Sequence, residues 1–512
     1  FYDGVEGDQV LMALYPEGSD TVGARRRLAL FLIQYWGGPD TYMQERGHPR
    51  LRMRHQPYAI TTLERDRWLL HMAAAIESSR AGTRTLLIES DRKLGGSTAL
   101  SGGVFYAAGT SLQRACGIDD TPEAQFRYYM NVNQHKLEAG VVYRLCQHSA
   151  PTFEWLVSLG VEFDAADLYV SGVDGIRRGH RARGHGAAIG SALEAAVSSA
   201  GVDVALNTRI RELAFTAGRV SGIVTADGTV SARAVVVATG GFGNNPSLLQ
   251  RLYPDATRYP EANWYIGTPH ALGDGLVMGE AVGAALTGHN RGLLLLTTGF
   301  TRDLEPYLPG WLVYVNREGR RFIDETTEYS VLAEVLKEQP GAECFALFDE
   351  ATRRAATQRD GANWDADRLA GFIAEGLINR GETLEALATR IGVKSTALLN
   401  TLERYNADCQ AGLDGAFLKE ARHLRPLTTP PFYAAPIKPA VICWTGTGLR
   451  IDPDARVLDQ DERAIPGLYA AGETTGGMFG PCYAAGGASV GNAIVFGRIA
   501  GRQAARSVTN PS

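Results

Sequence analysis

GLYAAGETTGGMFGPCYAAGGASVGNAIVFGRIAG, Gly467 to Gly501, decides the fold. Its opening, GLYAAGE, reads as an apolar strand that delivers Glu473 at its end. Its close, GGASVGNAIVFGRIAG, starts a helix, and the unbonded N–H groups of a helix start favour an electron-rich ligand edge. The glycines between let backbone approach a ligand closely.

Two upstream stretches belong with it. ARAVVVATGGFGNN (Ala232 to Asn245) is a buried strand ending in a tight glycine turn. TRTLLIES (83–90) is a short apolar run ending in Glu89, preceded by the helical AAAIESSRAG and followed by KLGGSTALSGG. An acidic residue at the end of the second strand of a dinucleotide fold accepts hydrogen bonds from the adenosine ribose. Gly95, Gly96, Gly102 and Gly103 let the backbone and the hydroxyls of Ser97, Thr98 and Ser101 reach a pyrophosphate. The fold class is α/β. Yet no G-x-G-x-x-G loop occurs in the 512 residues.

Bulk properties narrow the function. A chain of 512 residues suggests roughly three domains of about 150 residues. The 45% hydrophobic and 21% charged composition is that of a globular enzyme. A formal net charge of -5 offers no basic field for nucleic acid or an anionic membrane, so the expected partners are small molecules. The six cysteines form no C-x-x-C pair and no metal-spaced cluster, which predicts reduced thiols. No run of about 18 apolar residues exists, and with no signal pattern a cytoplasmic location is expected. The chain begins at Phe1, so its true start is expected upstream.

Residues 1–72 read separately. Leu28, Phe31, Leu32 and Tyr35 fall at i, i+3, i+4 and i+7, the stripe of an amphipathic helix that Gly37, Gly38 and Pro39 stop. The stretches FYDGVEGDQVLMALYPEGSD, FLIQYWGGPDTYMQERGHPRLRMRHQPYAI and ERDRWLLHM resemble a group II truncated haemoglobin. That resemblance implies an all-α partial globin, His55 as the ligand of a haem iron, and Tyr2, Tyr15 and Trp68 on the distal side. The match enters near the end of the family's second helix and stops before its last, so the haem pocket is expected to lack a wall.

Residues 73–505 resemble the FAD-dependent fumarate reductase and 3-ketosteroid 1-dehydrogenase superfamily. VNREGRRFIDE (Val315 to Glu325) and TGTGLRID (Thr445 to Asp452) carry the likeness together with the glycine-rich stretches. The resemblance implies a split FAD-binding, Rossmann-like domain at 73–254 and 431–512 around an α+β cap at 255–430. It also implies FAD contacts at Ile210, Ala238, Thr239, Gly240, Gly241, Gly472, Glu473, Ser489 and Val490, besides Glu89 and the 95–103 turn. Ser97 stands where respiratory members carry a flavin-linking histidine, implying noncovalent FAD.

The reaction turns on what polarises the substrate. Where the fumarate reductases place an acid arginine this chain has Tyr329, where they place a carboxylate-binding arginine it has Ala484, and their histidine becomes Trp444 or Cys443. No residue there replaces arginine's bidentate fork. Tyr329 and Tyr483 match the tyrosines of the ketosteroid dehydrogenases, and Gly487 matches the glycine whose N–H binds the ketone. The resemblance thus implies α,β-desaturation of a carbonyl compound, Tyr483 taking the α proton and flavin N5 the β hydride, with Tyr169 a further active-site tyrosine. RRGHRARGHG (Arg177 to Gly186) keeps open reduction of an unsaturated acid. A haem or oxygen-binding fusion and an inactive fusion that binds FAD poorly also stay open, and the electron acceptor is not specified.

The seam motivates the last alternative. A nucleotide fold opens with a buried strand, a glycine loop and a helix whose N-terminus faces the pyrophosphate. Here ERDRWLLHM runs into AAAIESSRAG without proline or glycine, predicting one helix from about Thr61 to Arg80. The absent strand is central in such sheets, so its neighbours must face a gap or close up.

Overall fold

In the computed structural model the described residues are 72–94, 96–97 and 101–509, and the chain divides into two compact units, Phe1–Arg65 and Asp66–Ser512. His55, Tyr2, Tyr15, Trp68, Gly95 and Thr98 lie outside the described residues, as does the expected helix before Met72.

In the second unit, MAAAIESSR forms the helix Met72–Arg80, whose small apolar residues from Met72 to Ile76 are all buried. It packs on the C-terminal helix Ala488–Thr509 so closely that a Cβ on Gly501 would overlap the Ala74 backbone. Glu77 fixes the pairing through Arg498 (2.8 Å) and Arg502 (2.6 Å). Burial opposes the Glu77 charge, but hydrogen bonds from the two arginines outweigh it and lower its pKa.

The strand Leu86–Ile88 pairs in parallel with Asp203–Ala205, and among the described residues that sheet has only these two strands. The strand Val235–Val237 pairs in parallel with Leu468–Ala470 of Ala464–Ala470, in a separate sheet completed by Arg456–Leu458. Among the described residues no ladder joins the two sheets. The neighbours of the expected central strand therefore have not closed up, and Leu86 is 46% and Val204 43% exposed where a doubly covered parallel sheet would bury them.

A third sheet is antiparallel, Val104–Tyr106 against Arg177–Ala182 against Phe163–Val170. The strand Phe432–Thr445 runs through a fourth. Along its length it pairs with Cys344–Asp349, Gly292–Thr297, Asn379–Gly381 and Trp264–Tyr265, while Val313–Asn316 pairs with Cys344–Asp349. Two apolar clusters of their own cover this sheet, one around Trp311, Phe348 and Trp364 and one around Leu398, Leu402 and Tyr405.

The charged residues of VNREGRRFIDE are internal. Arg321 bonds both Glu325 and Asp414, and Lys419 Nζ donates to Glu325 (3.0 Å) and to the Leu312 carbonyl (2.8 Å). This network leads straight into the helix Tyr329–Lys337, whose start Glu328 caps by accepting from Ser330 N (2.8 Å). The motif thus fixes where Tyr329 leaves the backbone.

Candidate active site

Gly240 has φ +72° with open space beside its Cα, and with Glu89, Gly96, Ser97, Ile210 and Thr239 it lines one cavity. Glu89 sits buried at the end of Leu86–Ile88, its Oε1 accepting from Asp91 N (2.9 Å). Thr239 Oγ1 accepts from Gly275 N (3.0 Å), and Ala238 is buried behind it. Ser97 Oγ accepts from Thr268 N (3.2 Å) and contacts Tyr265 OH (3.3 Å). Six of the residues expected to contact the cofactor thus meet at this cavity from three separate segments.

Other glycines serve packing. A Cβ on Gly103 would overlap the His185 backbone, and one on Gly241 would overlap Thr445 and Glu473. Gly102 has open space at its Cα, while Ser101 Oγ accepts from Gly103 N (3.2 Å) and so braces the turn. Glu473 accepts from Thr445 N (2.9 Å) and Thr445 Oγ1 (2.8 Å) and is buried, which raises its pKa to about 7 despite both bonds. Gly472 has φ +76°, and its carbonyl accepts from Thr475 and from Asn492 Nδ2 (3.4 Å). Asn492 Oδ1 and Thr474 Oγ1 stay buried without a partner, polar atoms that a bound ligand would satisfy.

Four tyrosines gather at the other end of the signature. Tyr483 OH donates to Ser489 Oγ (2.9 Å) and accepts from Ser489 N (2.9 Å), which holds it on the start of the helix Ala488–Thr509, with Val490 buried one residue on. Tyr329 packs edge-on against Tyr307 at 5.4 Å between centroids. A Cβ built on Gly486 would lie 2.9 Å from Ser171 Oγ, 3.3 Å from Tyr329 OH and 3.7 Å from Tyr169 OH. Three hydroxyls therefore surround one glycine. At Gly487 (φ +93°) a Cβ would meet Val104 O at 2.6 Å, and its N–H has no acceptor among the described residues.

Burial raises the Tyr483 pKa to about 12 against the two Ser489 bonds, and it raises Tyr329 well above 10, with the nearby Glu328 and Tyr483 adding to it. Both phenols are therefore protonated at neutral pH. The lowered pKa that a phenolate base needs is not found.

Trp444 is buried against Phe479 (4.9 Å) and Tyr483 (6.1 Å), and Ala484 offers only its carbonyl, which accepts from Tyr128 OH (2.6 Å). Sequence reasoning missed Ser171, Tyr128, Tyr307 and Asn133, whose Oδ1 accepts from Gly480 N (3.2 Å) and Cys482 N (2.9 Å). No spacing signal marks them: Ser171, Tyr128 and Asn133 meet the site from hundreds of residues away, and Tyr307 reaches Tyr329 from a preceding loop.

RRGHRARGHG divides by strand face. Arg178 is fully buried and satisfied by Asp120 (2.7 and 2.9 Å) and Asp174. His180 is buried against Phe153, its ring nitrogens within reach of Thr110 Oγ1 (2.8 Å) and the Arg178 carbonyl (2.8 Å), and burial lowers its pKa to about 4. Arg183 pairs with Glu162 and Asp164 at the surface. Among the described residues no helix is long and apolar enough to cross a membrane.

Residues 72–490 match the family model described as FAD binding domain, and residues 1–94 match that of bacterial-like globin. A fumarate reductase (cytochrome) of Shewanella frigidimarina is 32% identical over 448 residues, 85% of this chain and 75% of the relative. A urocanate reductase of Eggerthella lenta is 30% identical, covering 85% and 72%. The structure of a 3-ketosteroid-delta4-(5alpha)-dehydrogenase from Rhodococcus jostii superposes with a TM-score of 0.70 at 26% identity, covering 86% of this chain and 95% of that one.

Proposed function

We propose, for a chain that belongs to the FAD binding domain family of FAD-dependent oxidoreductases acting on CH–CH groups, that it saturates the carbon–carbon bond next to a carbonyl. Residues 255–430 would form the cap over a body made of 73–254 and 431–512, with 1–72 the globin-like part. The cavity at Glu89 and the helix start at Ser489 would hold the two ends of FAD, and the partnerless buried Asn492 and Thr474 atoms fit such a ligand. FAD bound there would, once reduced by an external electron donor, supply the hydride.

The direction rests on Tyr483, which both Ser489 bonds anchor at the helix start and whose pKa burial raises to about 12. A protonated phenol donates to the α carbon as negative charge develops there, which is general acid catalysis. The unpaired Gly487 N–H polarises the carbonyl, and Tyr329 with Tyr169 lines the floor beside Gly486. Desaturation, as in a ketosteroid dehydrogenase, is the same path reversed and needs the Tyr483 phenolate, so it gains ground only at high pH. Fumarate as substrate is disfavoured because Tyr329, Ala484 and Trp444 give no clamp for two carboxylates.

Turnover of an α,β-unsaturated ketone and of the matching unsaturated acid in deuterated water, with excess FAD and a chemical reductant, tests this. Solvent deuterium at the α carbon of a saturated product supports the reading, and both compounds left unchanged reject it. Haem at His55 is a separate proposal that rests on the globin match and lies outside the described residues. A Soret band lost in His55→Ala tests it.

A further inference from the structure

The strand Arg177–Ala182 sends alternate side chains to opposite faces. Arg178 and His180 point into the core and are spent there, on Asp120 and Asp174 and on Thr110. Gly179 and Arg181 share the other face. A Cβ on Gly179 would touch Ser171 Cβ (2.9 Å) and Tyr169 (3.0 Å), and the Arg181 guanidinium lies over the Tyr169 ring, 4.9 Å from its centroid. Arg181 also pairs in register with Val104, whose carbonyl packs on Gly487. The Arg181 backbone is therefore one strand over, about 4.8 Å, from the residue that backs the proposed carbonyl site, and its guanidinium reaches the Tyr169 ring, whose hydroxyl borders Gly486.

Arg181 is half-buried and has no hydrogen-bond or carboxylate partner among the described residues, unlike Arg178 and Arg183. Glu328, the acid beside Tyr329, is occupied with capping Ser330, and burial raises its pKa, so it competes weakly for the cation. Unpaired arginine held flat on an aromatic face, with its fork free, suits a carboxylate.

We propose that Arg181 binds a carboxylate of the substrate, making the substrate a monocarboxylic acid whose reacting bond lies at Gly486–Gly487. This rests on the saturation reading and deepens it. One free arginine neutralises one carboxylate, so a second would meet only the phenols and Trp444. Tyr169 is the positioning residue, holding the guanidinium between the strand and the site.

The test titrates the full chain in excess FAD with trans-cinnamate, the matching methyl ketone (4-phenylbut-3-en-2-one) and fumarate, by calorimetry. Arg181→Gln is expected to weaken cinnamate roughly 10- to 100-fold, the range for a lost hydrogen bond to a charged group, and far more than it weakens the ketone. Arg181→Lys recovers part of the loss, and fumarate binds no tighter than cinnamate. Equal weakening of acid and ketone would mean a structural role and would overturn the assignment, as would unaltered cinnamate affinity or no measurable cinnamate binding to the unaltered chain. Acid-selective binding without turnover of either compound sinks the saturation reading and leaves Arg181 standing.

Discussion

Replacing Tyr483 by Phe removes one oxygen that makes two bonds of 2.9 Å, both to Ser489. Ser489 N–H lies in the first turn of the helix Ala488–Thr509, where no intrahelical acceptor exists, and Ser489 is half-buried, so the stability cost is at most that of a buried unpaired donor, about 1–3 kcal/mol. The loss in catalysis is separate. A positioned general acid contributes about 10²–10⁴ in rate, which is about 2.7–5.4 kcal/mol of barrier at about 1.36 kcal/mol per decade. With its pKa raised to about 12, the phenol stays protonated across the neutral range, so the unaltered rate of saturation should be flat there and fall only in alkali. Stopped-flow reoxidation of reduced flavin by an unsaturated ketone, followed against pH, reads both effects. The Phe variant should be slower by two decades or more at equal ligand affinity, with the alkaline limb gone. A variant within about threefold of the parent, the scatter expected of an indirect effect, would refute Tyr483 as the acid.

Four more outcomes are expected from the geometry. Gly487→Ala forces a Cβ to 2.6 Å from Val104 O at φ +93°, so it should lower the urea midpoint by the equivalent of about 1–3 kcal/mol and weaken ketone binding. Glu473, whose pKa rises in the fold from 4.5 to about 7, favours folding when protonated. That contribution is complete below about pH 4.5 and lost as pH rises through about 7, so Glu473→Gln should flatten melting temperature against pH in that window. Asp120→Ala leaves the buried Arg178 with Asp174 alone and should cost less than the about 3–5 kcal/mol of a fully unpaired buried charge, while the Asp120→Ala/Asp174→Ala pair should reach that range by chemical denaturation. FAD, held at two ends with no glycine loop between two unjoined sheets, should leave the chain on exhaustive dialysis, and stoichiometric retention would contradict that picture.

The strand that ends at Glu473 and the helix that starts at Ala488 were legible because each is written in one continuous stretch of sequence. GLYAAGE places Glu473 and GGASVG starts the helix, whatever the rest of the chain does. Among the described residues Leu86–Ile88 and Val235–Val237 lie in separate sheets, the arrangement expected of strands whose central neighbour is absent from the sequence. Roles set by strand face were not. RRGHRARGHG contains four arginines and two histidines, and only pairing with Val104–Tyr106 decides that Arg178 meets Asp120 while Arg181 meets Tyr169. Gly103 and Gly241, read as ligand-facing, are needed where backbone and side chain crowd from elsewhere, at His185 and at Glu473. The Tyr483 pKa also escaped the sequence, because burial raises it further than the visible helix start lowers it.

The most direct test of the account is a flavin spectrum of the FAD-saturated chain, reduced without oxygen and mixed with an α,β-unsaturated monocarboxylic acid or ketone. Return of the oxidised flavin absorption, matched by formation of the saturated compound and slowed in Tyr483→Phe, is the predicted result. A spectrum that stays bleached with both compounds would contradict it.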